Sequence, residues 1–232
     1  MIEWLLLPLS GSTQHHIDAW AYWHARSMVL GWGVLLPLGA LAARYFKVMP
    51  AQRWPEQLDN RAWWHTHRAL QWAGMAVVSV GAALAWGQGH GDTALARWHG
   101  WGGWGLLLLG WLQIGLGLRR GSKGGPTDLH LRGDHYDMTP HRVRFERLHK
   151  SLGWLAVLAA VVLMAIGLLL ADAPRWMAVV LCGWWLLLMA VARHWQRQGR
   201  CIDTYQAIWG PDARHPGNRI TPIGWGVRRP QP

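Results

Sequence analysis

The stretch Trp23–Lys47, WHARSMVLGWGVLLPLGALAARYFK, decides how the rest of the chain is read. It opens on His24 and Arg26, runs uncharged from Ser27 to Ala43, and closes on Arg44 and Lys47. At about 1.5 Å of rise per residue, His24 to Arg44 covers roughly 30 Å, the thickness of a bilayer's hydrocarbon core. The stretch therefore predicts a membrane-spanning helix carrying one imidazole near one end. Gly31, Gly33 and Pro37 lie inside it, which a membrane helix tolerates where neighbours satisfy the freed backbone groups.

Working outward, the pattern of an apolar run with a histidine near its start recurs. Five spans are predicted, over residues 19–46, 62–86, 95–118, 143–171 and 176–195. The first two turns of the fourth are charged and project from the bilayer. The third is rich in glycine (Gly100, Gly102, Gly103, Gly105, Gly110, Gly115, Gly117), and small residues admit a neighbouring helix or a flat ligand. Composition agrees with a membrane setting. Charged residues are 15% of the chain, well below the average of about 25%. The 20 tryptophans against 2 phenylalanines suit interfaces where an indole is half buried with its N–H wet.

The net charge of +11 would suggest nucleic acid in a soluble protein. Here the basic residues lie between spans and speak for topology instead, so no nucleic-acid partner is expected. The segments 44–61, 119–150 and the tail after Ala192 hold 19 Lys and Arg, against Arg26, Arg97 and Arg175 in the alternate set, with Arg68 inside a span. The positive-inside rule then places the N-terminus outside and the C-terminus in the cytoplasm of a multi-pass membrane protein. Residues 1–18 are read as an external segment, with Glu3 where a signal peptide would be basic; Met1–Ser10 is expected to remain as an amphipathic or re-entrant piece. The connection Gly121–His141 is long and rich in Gly, Asp and His, and its Asp134–Asp137 stretch, DHYD, is read as a solvated loop in preference to a metal or partner site. Residues 196–232 are read as a cytoplasmic tail forming an irregular cap.

Of the 13 histidines, His15, His16 and His90 fall outside, His130, His135, His141 and His215 fall inside, and His194 ends the fifth span; interfacial positions account for these. Four remain. His24, His67, His99 and His149 each begin the apolar part of a span, where an ionisable side chain is costly and a functional candidate. Spans one and three both start outside, so His24 and His99 share one depth; spans two and four start inside, so His67 and His149 share another. Two imidazoles at one depth on facing helices satisfy a six-coordinate b-type haem. The expectation is an all-α membrane protein whose four-helix bundle binds two haem b groups, stacked across the membrane with irons roughly 15–20 Å apart. No CxxCH occurs, so attachment is non-covalent. Arg26, Arg68, Arg97 and Lys150 lie beside these histidines and could meet haem propionates; Arg147 also flanks His149. His65 competes with His67, because residues two apart on a helix point about 200° apart and period alone does not choose. Gln71, one turn after His67, and Gln113 are amides that could serve a haem edge or a helix–helix hydrogen bond.

Taken in order, these residues resemble the cytochrome b561 family of transmembrane dihaem cytochromes. The resemblance covers about residues 23–171 and rests on His24 with Met28, Gly31-Trp32 and Ala43-Arg44-Tyr45; on His67-Arg68 with Leu70-Gln71; on His99 with Gly103 and Gln113; and on His149-Lys150 with Gly153-Trp154. It favours His67 over His65 and implies the ligand pairs His24–His99 and His67–His149. It also implies electron transfer across a membrane, with ascorbate as donor in some members. The motifs associated with ascorbate are not recognisable in Arg44–Arg61. The expected function is an electron carrier between a donor and an acceptor on opposite faces. The alternatives are an oxidoreductase with its own quinone, ascorbate-like or ferric-chelate site, and a non-redox helical scaffold. The glycine-rich third span could also serve a homodimer.

Overall fold

The structure is a computed structural model that describes residues 2–12, 16–88, 91–127 and 129–230. His15 and His90, read above as external, lie outside the described residues. Among the described residues the regular structure is helical, with no strand beyond the isolated bridges Pro8–Pro174 and Ile202–Arg228. Among the described residues five helices are long and apolar enough to cross a membrane: Ala19–Tyr45, Ala62–Ala85, Ala94–Leu118, Pro140–Leu170 and Arg175–Arg197. They are called the first to fifth spans below. Each bound lies within three residues of the sequence-based range, because hydrophobic length and flanking charge fix both.

The chain divides into two compact units. One comprises Met1–Pro37, Trp72–Trp111 and Leu155–Val191. Its interior is built on small residues that let helices approach closely. Gly31 lies against Val78 and the Gly74 carbonyl, Gly74 against Leu36, Gly81 against Ser27, and Gly110 against Met75 and Trp32. Trp32, Leu36, Met75, Val78, Leu106, Ala160 and Met164 are buried there. Pro37 has no N–H to give the carbonyl of Gly33, and the helix widens into a π-helical stretch over Val29–Leu35. The indole of Trp184, in the fifth span, donates to that Gly33 carbonyl at 2.8 Å, the kind of outside partner a proline in a membrane helix requires. Residues 2–12 add the short helix Ile2–Leu6. It is followed by a clasp in which the N–H of Arg175 reaches the Leu7 carbonyl and Ser10 bonds Asp172.

The other unit comprises Leu38–Gln71, Leu112–Trp154 and Ala192–Pro232. Its centre is a compact core of Met138, Tyr205, Ile208, Trp209 and Ile223, with Trp63, Tyr136, Val143 and Ile220 packed on it. The tail supplies this core through the helix Thr204–Trp209, every residue of which is buried. Tyr205 donates to the Tyr136 carbonyl at 2.9 Å, Arg229 pairs with Asp203 at 2.8 Å, and Gly217 lies so close to the Tyr205 ring that no side chain fits. Burial also raises the Tyr205 phenol to about 12.

His135, of the DHYD stretch, is drawn into this core rather than solvated: it is 1% exposed. The indole of Trp209 donates to its Nδ1 at 3.3 Å, so the ring's own proton sits on Nε2. Burial, reinforced by the nearby Arg142 charge, lowers its pKa from 6.5 to about 3. The unfolded ring takes up a proton near pH 6.5 while the folded one does so only near 3. Stability is therefore intact above pH 6.5 and declines as pH falls towards 3, by an amount on the order of 5 kcal/mol over the full window. Melting curves between pH 7 and 4 should show this decline in the wild type and a shallower one in His135→Gln; parallel slopes would assign the acid sensitivity to other groups.

Candidate functional site

The four candidate histidines meet in two pairs, one inside each unit. In the first unit the rings of His24 and His99 lie with centroids 6.1 Å apart and planes at 77°. In the second, His67 and His149 lie 6.3 Å apart with planes at 85°. His65 is exposed and has no such partner ring among the described residues.

Backbone carbonyls aim three of these rings. His24 Nδ1 sits 2.8 Å from the Gly81 carbonyl, His67 Nδ1 3.0 Å from that of Gly39, and His99 Nδ1 3.1 Å from that of Leu163. An Nδ1–H given to a carbonyl fixes the tautomer that leaves Nε2 with a free lone pair, the arrangement metal-ligating imidazoles use. Glycine makes two of these bonds possible: at Gly81 the first span approaches through Ser27, and at Gly39 the second through Leu70 and Gln71. Gln71 thus packs at the helix crossing beside His67. His149 Nδ1 is buried and has no hydrogen-bond partner; its ring stacks on Phe145 at 5.2 Å.

The spacing fits a metal between each pair. Two metal–imidazole bonds of about 2.0 Å, each extended by about 1.1 Å from nitrogen to ring centre, place opposed ring centres roughly 6 Å apart. The surroundings fit a flat group. Gly103 follows His99 by one turn and Gly153 follows His149 by one turn, and at both a side chain would enter open space. The amide of Gln113 is buried with neither its oxygen nor its nitrogen bonded, so the helix–helix hydrogen bond open to it from sequence is not made. Among the described residues no group of three or more His, Cys, Asp or Glu gathers.

The basic residues named beside the histidines are placed differently from one another. Arg26 lies over the rings of Tyr22 and Trp23, at 5.3 and 5.1 Å, and Arg97 donates to the Asp92 carbonyl at 2.6 Å. Arg68 lies over Trp64 at 5.6 Å. Lys150 turns from His149 to Glu146, at 2.7 Å, and to the Ile223 carbonyl, at 2.8 Å. Glu146 also receives Arg142 at 3.0 Å. Sequence reasoning missed Lys47, which is buried and donates to the Ile202 carbonyl at 3.1 Å. Burial, then the Lys150 charge, lowers it to about 8. Its only signal in the sequence was a basic residue just past a span.

No family model matches the chain, and no solved structure matches it. The chain is similar to a cytochrome b561, DM13 and DOMON domain-containing protein of Arabidopsis thaliana, with 28% identity over 145 residues. The match covers 62% of this chain and 14% of the plant protein, so the chain corresponds to a small part of that relative's length.

Proposed function

We propose that this protein is a dihaem b-type cytochrome that carries electrons across a membrane. The observation that carries the reading is the double pairing, with rings 6.1 and 6.3 Å apart on helices long and apolar enough to span a bilayer. The similarity to a protein named for a cytochrome b561 domain supports it. His24 and His99 would hold one haem and His67 and His149 the other. A bound haem would supply reversible one-electron chemistry at its iron.

The chain's own residues do the rest. The carbonyls of Gly81, Gly39 and Leu163 orient imidazoles and raise their basicity by accepting the Nδ1 proton. Gly103 and Gly153 leave room beside the ligands. Arg68 would balance a propionate, and the unbonded amide of Gln113 would be free to bond a haem edge. The four rings are half-buried, so a bound haem would complete the cover over them and favour outer-sphere electron passage over side reactions with solvent. The membrane would be a bacterial inner membrane, with the N-terminus out and the C-terminus in, as the charge pattern of the sequence leads us to expect. A donor on one face and an acceptor on the other would complete the path.

The test is a pyridine haemochrome assay with a redox-difference spectrum on detergent-purified protein. The wild type should hold two b haems per chain. His99→Ala and His67→Ala should each lose one and keep the low-spin spectrum of the other. Protein purified without haem, or a single haem untouched by either substitution, would overturn the reading.

A further inference from the structure

A cavity of about 880 Å³ opens in the unit that contains the tail. Trp63 and Trp64 line it together with Arg61, Arg68, Arg120, Lys123, Arg132 and Arg142. Asp59 is the carboxylate among its described lining residues, and it is already engaged by Lys123 and lies 3.9 Å from Arg61. Arg68 and Arg120 both lie over the Trp64 ring, at 5.6 and 3.9 Å, so two like charges converge on one indole. His135 faces the same cavity, and its buried Nε2 makes no hydrogen bond. With Nδ1 accepting from Trp209, that Nε2 carries a proton; the Glu146 carboxylate oxygen lies 3.8 Å from it, beyond hydrogen-bond reach. Arg132 lies 3.7 Å from Asp137 and Arg142 3.0 Å from Glu146, so the six cations outnumber the three carboxylates that meet them, and with the buried N–H this surplus makes an anion site.

The rim indicates which anion. Leu129 lines the cavity and is 100% exposed, and Leu118 and Leu131 are also largely exposed. Leucines held into water beside a cluster of arginines make sense where acyl chains cover them. The second span begins at Ala62, beside the two indoles, and the third ends at Leu118, two residues before Arg120. Both put the cavity at headgroup level, where Trp and Arg concentrate.

We propose that this cavity binds a phosphate group, that of an anionic phospholipid, with Leu118, Leu129 and Leu131 against its acyl chains. Basic pockets beside membrane helices recognise such headgroups by charge. The proposal rests on the membrane reading and not on haem.

Native mass spectrometry of the full chain in detergent, titrated with phosphatidylglycerol or phosphatidylcholine, tests it, alongside equilibrium dialysis with labelled inorganic phosphate. Phosphatidylglycerol should bind in preference to phosphatidylcholine. The double variant Lys123→Gln, Arg132→Gln should weaken phosphatidylglycerol by about 25-fold, at about fivefold per cation near a charged surface. Leu129→Ser, which removes apolar surface without adding charge, should weaken the lipid and leave inorganic phosphate bound. Phosphate binding that is sensitive to the double variant, without lipid preference, would keep the phosphate site and transfer it to a soluble phosphate compound. Equal binding of both lipids together with no phosphate binding would overturn the proposal. So would a double variant that melts like the wild type yet binds phosphatidylglycerol unchanged. If the double variant does not fold, Leu129→Ser and competition by phosphate on the wild type decide alone.

Discussion

Gly103→Leu should abolish one haem site and Gly153→Leu the other, each leaving a folded membrane protein with the remaining haem. No atom other than a residue's own neighbours lies within 4 Å of a side chain begun at either position. The protein can therefore house the leucine, and exchanging a helical glycine for leucine favours the helix by up to about 1 kcal/mol. What the leucine takes is the space one turn from His99 or His149, on the face those imidazoles share. Loss of haem without loss of fold separates a cofactor cradle from a packing contact. Gly183→Leu is the control: it too meets open space, but in the fifth span, which holds no candidate ligand, and both haems should stay. Haem content and melting temperature, measured on the same preparations, check all three. Two haems retained in Gly103→Leu would mean the open face belongs to lipid, and the case for the His24–His99 pair would then rest on ring spacing alone.

Glu146→Ala should cost about 3–5 kcal/mol of stability in the unit that contains the tail, the usual penalty for removing one partner of a buried ion pair. The Glu146 side chain is 5% exposed and meets Arg142 at 3.0 Å and Lys150 at 2.7 Å, with His135 Nε2 3.8 Å away. Arg142 is itself buried and also donates to the Arg120 carbonyl at 3.2 Å. Removing the carboxylate leaves a guanidinium and an ammonium facing each other with little water. Glu146→Gln keeps two hydrogen-bond acceptor or donor atoms and should cost less than the alanine change. Thermal unfolding followed by tryptophan fluorescence, or protease sensitivity of the tail, reads the difference. Equal stability of wild type and Glu146→Ala would show that water or lipid headgroups already compensate those cations.

The five spans and the four paired histidines were legible in the sequence because both follow from short-range rules. A bilayer sets the length of an apolar run, and a helix's rise converts sequence position into depth, so His24 and His99 were expected at one level before any contact was known. The motif His67-Arg68 with Leu70-Gln71 favoured His67 over His65, and in the structure the His67 ring is the one beside His149. Lys150 shows what the same reasoning leaves out. Adjacency to His149 suggested a propionate partner, but its ammonium lies on Glu146, one turn back, and on Ile223, far along the chain.

What tertiary structure alone decided depends on residues distant in sequence. Trp184 supplies the N–H that Pro37 withholds from Gly33; carbonyls of Gly81, Gly39 and Leu163 aim the rings; Tyr205 and Trp209 draw His135 out of water; and cations from four segments surround one cavity. Composition and periodicity fix where a helix starts and which residues lie at its ends. They do not fix which face meets which, and hydrogen bonds, buried charges and cavities are properties of that meeting.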